Sequence, residues 1–308
     1  MKKAKKMLKV VLFTGYSCNN RCLFCIDADK RDLPERTTKE LLKLIYASGK
    51  KGADILEIIG GEATIRPDFT ALVRAAKKVG IRSVACATNG RVLSDPAAAK
   101  KILDAGLDSV IFSIHGPTAA VHDKMTASPG SFAELMKGMA NLRKLGFTRI
   151  NGNTTVVKPN MRSLPALAAL YVKLGVRNVE YIFVDPNYGG AKNNFDDLVP
   201  KISVAAPYMK KALRVGLAAG LDQWKARYVP LCHFKGFEEQ ISEVNERTIF
   251  LTEHWAPDFV NPDAIGSRRA VGRRRPAACA GCAKYELCEG IWTEYLKHYG
   301  DGELKAVK

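Results

Sequence analysis

The chain has 308 residues, 47% hydrophobic and 26% charged, enough for one large α/β core with an appendage and no need of disulfide support. No run of about 18 apolar residues occurs, so no membrane-spanning helix is expected, and the apolar residues 8–13 that follow the basic residues 1–6 are too few for a signal-peptide core. Without a targeting signal the expected location is the cytoplasm, where disulfides are rare, so eight cysteines point to metal ligation.

The net charge of +17 comes from 48 Lys and Arg against 31 Asp and Glu. It suits an acidic peptide, a phosphorylated substrate, an acidic redox partner or nucleic acid, and equally a solvated surface. No recognition helix or RNA-binding signature accompanies the charge, which makes nucleic acid an unlikely partner.

In chain order, residues 9–14 form a short apolar run that predicts a strand buried on both faces. A polar loop with three cysteines follows. Thr37 and Glu40 have capping-box spacing at the head of a helix reaching Ser48. Residues 55–59 predict a second strand, ending in Gly60-Gly61-Glu62, and residues 68–79 a helix stopped by Gly80. Residues 84–87 predict a third strand before Thr88-Asn89-Gly90, and 95–105 a helix. A fourth strand, 110–114, runs into His115-Gly116. Ser131 and Glu134 repeat the capping-box spacing before a helix to Leu145. A strand at 154–157, a helix at 164–174 and a strand at 179–184 complete six β-α units. Beyond a helix at 204–219 the periodicity weakens and the chain becomes rich in aromatics, Arg and Cys. The expected fold is α/β: a partial (β/α)6 TIM-like barrel over residues 1–203, with a small C-terminal auxiliary cluster-binding domain over residues 204–308. Chemistry is expected on the loops at the C-terminal ends of the strands, where the cysteine, glycine and histidine signals fall.

Cys18, Cys22 and Cys25 give C-x3-C-x2-C directly after the first strand. Three thiolates can hold one face of a cubane cluster and leave one iron open; tetrahedral zinc would need a fourth ligand from elsewhere in the chain.

The run Tyr16-Ser17-Cys18-Asn19-Asn20-Arg21-Cys22-Leu23-Phe24-Cys25 resembles the radical S-adenosylmethionine (SAM) superfamily, including the aromatic Phe24 before the last cysteine. The resemblance implies a [4Fe-4S] cluster whose open iron chelates SAM. It also implies one-electron cleavage of SAM to methionine and a 5′-deoxyadenosyl radical, and a reductant such as flavodoxin or ferredoxin. Gly60, Gly61 and Glu62 look like the family motif that receives the SAM amino group, and a carboxylate suits an ammonium. Thr88 and Asn89 look like the third-strand motif, and Ser113 with His115 holds the place of the fourth-strand SAM contact. His115 departs from the aspartate common in peptide-modifying relatives, and capping the next helix or satisfying its own loop is its other reading. Asn153 and Thr155 are candidate ribose contacts or buried hydrogen-bonding groups.

Cys279, Cys282 and Cys288, with Cys232 upstream, could close a second [4Fe-4S] cluster or a zinc tetrahedron. The x2/x5 spacing is similar to the SPASM and twitch extensions, but Trp292 stands where the next SPASM cysteine would fall, so a shortened single-cluster form is expected. Cys86, in an apolar strand, is expected in the core. Five arginines between residues 267 and 275 read either as a substrate- or partner-binding strip or as a flexible basic loop. The resemblance implies hydrogen abstraction from a peptide or protein side chain; a small metabolite or cofactor precursor is the alternative. The molybdopterin-precursor branch is less expected, because its C-x2-C-x13-C spacing and terminal Gly-Gly are missing. A non-catalytic iron–sulfur carrier or zinc-bound interaction protein is the reading of another class.

Overall fold

A computed structural model of the chain describes residues 5–308, so residues 1–4 of the basic start lie outside it. Its first part alternates β1 (Met7–Phe13), α1 (Thr38–Lys50), β2 (Ile55–Ile59), α2 (Phe69–Lys78), β3 (Ser83–Thr88), α3 (Pro96–Asp104) and β4 (Ser109–Ser113). There follow α4 (Ala119–Thr126), α5 (Ser131–Lys144), β5 (Ile150–Val156), α6 (Leu164–Lys173) and β6 (Val179–Phe183). Next come α7 (Gly189–Asn193), α8 (Phe195–Leu198), α9 (Ile202–Ala218), β7 (Lys225–Arg227), α10 (Ser242–Ile249), β8 (Phe250–Trp255) and β9 (Val260–Asn261). The last elements are α11 (Ala264–Ser267), β10 (Arg273–Arg274), β11 (Ile291–Trp292) and α12 (Thr293–Tyr299).

One sheet runs β7-β6-β5-β4-β3-β2-β1-β8-β9, parallel except for β9, while β10 and β11 form a small antiparallel pair. The fold is an α/β partial barrel, as the six β-α units predict. Alternate strand residues divide between two environments. Leu56 and Ile58 on β2, Val110 and Phe112 on β4, and Tyr181 and Phe183 on β6 are fully buried under the helices. Their neighbours Glu57, Ile111, Asn153 and Glu180 are half-buried and face the concave side. The oily outer layer is the core, and the polar inner face is free for chemistry.

Two local expectations turn out differently. The Thr37–Glu40 capping box is present, but the Ser131–Glu134 pair makes none. Gly130 caps α5, Asp123 of α4 accepts from the amides of Gly130 (2.8 Å) and Phe132 (2.8 Å), and Glu134 pairs with Arg91 instead. A carboxylate one helix upstream has taken the capping role.

Residues 204–308 do not stand apart from the sheet. Helix α9 packs on α6, β7 extends the sheet beyond β6, and β8 lies parallel to β1. Both strands escape sequence detection because they are short or interrupted by charge: Lys225-Ala226-Arg227, and Glu253-His254 within β8. The edges β7 and β8 are not paired to each other. Helix α10 lies between them, tied by an ion-pair chain in which Arg227 meets Glu180 (2.7 Å) and Glu246 (2.8 Å), and Arg268 meets Glu246 and Glu289 (2.8 Å). Two arginines of the strip, Arg268 and Arg273, are therefore turned inward, while Arg274 is exposed. Arg273, 1% exposed, pairs with Glu243 at 3.2 Å, Arg274 bonds carbonyls of its own turn, and Arg275 lies over the Tyr285 ring at 4.0 Å. Cys86 is fully buried in the core.

Candidate functional site

The cysteine loop leaves β1 at the C-terminal edge of the sheet, and three other segments, the loop after β2, the end of α4 and the start of α7, grip it by backbone. Glu62 N–H donates to Ser17 O (2.8 Å), Arg21 N–H to Thr126 O (2.9 Å), Leu23 N–H to Met125 O (3.0 Å), and Gly190 N–H to Cys25 O (2.8 Å). Glu35 accepts from the Tyr16 (2.9 Å) and Ser17 (2.7 Å) amides. These contacts explain the glycines. A Cβ on Gly61, whose φ is +47°, would stand 2.0 Å from Ser17 O, and one on Gly190 would stand 2.1 Å from Leu23 O. The Gly60-Gly61 pair, expected as part of the motif that receives the SAM amino group, thus also serves close approach to the cysteine loop.

Cys18, Cys22 and Cys25 are half-buried free thiols. Burial pushes all three up, Cys22 to about 12, with neighbouring cysteines adding to the effect at Cys18 and Cys22 and Arg31 opposing it at all three. The fold alone thus favours thiols, and a bound metal cluster is what would make them thiolates. The surroundings suit such a cluster. The Asn20 amide reaches Cys18 Sγ (3.4 Å), and Arg21, Arg31 and Arg91 all bond carbonyls of the loop. Three cysteines held by one loop fit a site-open cubane, and among the described residues no fourth Cys is placed there to complete a zinc tetrahedron.

Glu62, 2% exposed, accepts at Oε1 from Thr64 N–H (3.1 Å), the Thr64 hydroxyl (2.5 Å) and the Thr88 hydroxyl (2.7 Å), and at Oε2 from Asn89 N–H (2.6 Å). Desolvation holds its pKa above the usual carboxylate range against these four donors. Oε2 has a single donor, which leaves room for one more. Asn89 in turn donates from Nδ2 to Asn19 Oδ1 (2.6 Å) and lies 3.9 Å from Cys18 Sγ. Thr88 and Asn89 thus connect Glu62 to the cysteine loop.

Ser113 and Asn153 are register partners on β4 and β5, and both, with Thr155, sit half-buried on the concave side. Thr154, by contrast, is buried outward against the Ile114 carbonyl and Tyr171. His115 is 4% exposed, its edge against the Phe24 ring at 4.7 Å. Its Nδ1 accepts from Thr155 N–H (3.3 Å), so the ring proton is on Nε2. Burial, and the adjacent His122, keep His115 well below its usual pKa and neutral. His115 caps no helix; it joins β4, β5 and the cysteine loop.

The sequence reading missed the loop after β6. Gly189-Gly190 repeats the paired-glycine signal of Gly60-Gly61 and lies directly on the Cys25 and Leu23 backbone. Glu35 and Arg91, the side chains that orient the cysteine loop, carry no local sequence signal.

The second group of cysteines also converges. Cys232, Cys279, Cys282 and Cys288 line one small cavity with Arg275, Lys284 and Lys305. Cys288 Sγ accepts from the Leu231 (3.4 Å) and Gly290 (3.3 Å) amides, and Cys282 Sγ from the Val307 amide (3.3 Å). Burial, then the other three cysteines, push Cys279 up to about 11. Amides and cations around four thiols fit an anionic four-thiolate centre.

A parallel partial barrel with a three-thiolate loop at the C-terminal end of its first strand defines a class of iron–sulfur enzymes. The chain belongs to the radical SAM superfamily, whose description it matches over residues 12–170. It is accordingly an enzyme that uses a [4Fe-4S] cluster and SAM. It is 32% identical over 202 residues, 65% of its length, to the AdoMet-dependent heme synthase of Methanosarcina barkeri, and this match spans only 56% of that relative. It is 23% identical over 273 residues, covering 88% of this chain and 77% of the other, to a probable GTP 3′,8-cyclase of Saccharolobus solfataricus. Its fold is similar to Streptococcus suis SuiB bound to precursor peptide SuiA, with TM-score 0.69 and 12% identity over 98% of this chain and 75% of that one. It is also similar to anSMEcpe with bound AdoMet and a peptide, with TM-score 0.65 and 14% identity over 97% and 92% of the two chains.

Proposed function

We propose that Cys18, Cys22 and Cys25 hold the SAM-binding cluster and that the enzyme abstracts hydrogen from a peptide or protein side chain bound in the concave face. The chemistry the bound cluster supplies is one-electron reduction of the sulfonium, splitting SAM into methionine and a 5′-deoxyadenosyl radical. Glu62 Oε2 is assigned to the SAM ammonium. Ser113, Asn153 and Thr155 offer donors and acceptors to ribose and carboxylate, and Phe24 with His115 closes the wall beside the cysteine loop. The outer layer of buried aliphatics keeps this polar strip rigid, which limits where a reactive carbon can sit. Cys232, Cys279, Cys282 and Cys288 are assigned to a second, closed [4Fe-4S] cluster that passes an electron or holds the 204–308 region in place.

The observation that carries the peptide reading is the reach of the fold likeness. It extends through the cysteine-bearing tail, over 97–98% of the chain, in two proteins solved with peptides. The higher sequence identity to the heme synthase supports a second reading, a small metabolite or cofactor precursor as substrate. Anaerobic reconstitution with SAM and dithionite tests the common part, since only a radical SAM enzyme releases 5′-deoxyadenosine. Deuterium transfer into 5′-deoxyadenosine from labelled peptides against labelled small metabolites tests the substrate. Label arriving only from metabolites overturns the peptide assignment.

A further inference from the structure

Cys232 lies 47 residues before Cys279, on a different turn, and something must hold the two turns in register. Segment 301–307 does so. His233, next to Cys232, donates from Nε2 to Glu303 O (2.8 Å). The Glu303 carboxylate accepts from the Tyr295 and Ser203 hydroxyls, which pins it to α12 and α9. Leu304 is buried. Lys305 then lines the cavity beside Cys232, the Val307 amide donates to Cys282 Sγ (3.3 Å), and Val307 O accepts from Ala283 N–H (2.8 Å). The segment touches both halves of the thiol quartet, through His233 on one side and through a backbone N–H to Cys282 on the other.

We infer that segment 301–307 is a working part of the second centre, positioning Cys232 against the 279–288 loop and setting the centre's reduction potential through the Val307 amide. The inference rests on the four-thiolate cluster assignment above. The physical reason is that an N–H aimed at a cluster sulfur stabilises the more negative, reduced state more than the oxidised one. The bond to Cys282 comes from the Val307 backbone, so a change of the Val307 side chain leaves it in place and loss of the Val307 N–H removes it.

The test is Val307→Pro, which deletes the donor to Cys282, beside Val307→Ala, which keeps it. Each protein is reconstituted, its iron is counted, and the midpoint potential of each cluster is read by redox titration with electron paramagnetic resonance. The expected result is a more negative midpoint for the second cluster in Val307→Pro alone, with the first cluster's potential unchanged. Loss of the second cluster's iron in Val307→Pro but not in Val307→Ala also supports the inference, since it shows the amide is needed to hold the site. An unmoved midpoint and unmoved iron count in Val307→Pro, or equal shifts in both variants, overturn it. A wild-type chain with one cluster and one zinc instead overturns the cluster assignment, and this inference falls with it.

Discussion

Glu62 is the acceptor for four donors in a site closed to water, so its removal should damage the rim of the barrel as well as SAM binding. In Glu62→Ala the two hydroxyls, on Thr64 and Thr88, can turn to other acceptors, but the amides of Thr64 and Asn89 cannot. Each stranded buried amide costs about 1–3 kcal/mol, so the pair costs roughly 2–6 kcal/mol. That is a large share of the about 5–15 kcal/mol that stabilises an ordinary domain. Glu62→Gln keeps an acceptor at Oε1 but sets an NH2 group against the Asn89 amide, losing one bond and stranding one donor, about 1–3 kcal/mol. Urea unfolding of the anaerobic apo-protein measures both, with an unchanged slope showing that the midpoint reports stability. SAM affinity, by equilibrium dialysis of the reconstituted Glu62→Gln protein, should fall roughly 10- to 150-fold, the value of about 1.5–3 kcal/mol for a charge-assisted bond. A Glu62→Ala midpoint within about 0.5 kcal/mol of wild type would refute the rim argument. Unchanged SAM affinity in Glu62→Gln would remove the carboxylate from the ammonium site.

Replacing any of Cys18, Cys22 or Cys25 by Ala should abolish 5′-deoxyadenosine release, and iron should fall from about eight per chain toward about four; release at the wild-type rate in one of them would refute the triad. Gly190→Ala should lower cluster occupancy, because its Cβ meets Leu23 O at 2.1 Å and the cysteine loop must shift at a cost of about 1–3 kcal/mol. Gly146→Ala, at φ +75° with nothing within 4 Å, is the control: about 1–2 kcal/mol of backbone strain and full iron. Asp185 is raised to about 6 by desolvation, so its stabilising protonated form is fully present below pH 3.8 and lost as pH rises through 6. Asp185→Asn should therefore gain up to about 3 kcal/mol at pH 8 and nothing below pH 4, read from urea midpoints across pH.

The six β-α units and both cysteine groups were legible in the sequence because each is a local pattern: apolar runs, loop glycines, thiols a few residues apart. What stayed hidden depends on partners distant in the chain. Glu62 reads in sequence as a ligand group only, and its structural part stays hidden because the Thr88 hydroxyl and Asn89 amide that share its oxygens lie 26 and 27 residues on. The 268–275 arginines read as a free strip because Glu246 and Glu289, which pair with Arg268, and Glu243, which pairs with Arg273, lie outside it. Ser131 has the spacing of a cap, but Asp123 reached the amides first.

The gripping of the cysteine loop has a consequence for how the enzyme matures. Three cysteines that sit within eight residues of sequence are held in place by backbone from residues 62, 125, 126 and 190. On the cluster assignment proposed above, a nascent chain that has only just exposed its cysteines owns the ligands but not the socket. The socket exists once the sixth β-α unit has folded, so iron delivery belongs after most of the barrel is built. The apo-barrel, steadied by its aliphatic outer layer, is the species an iron donor meets.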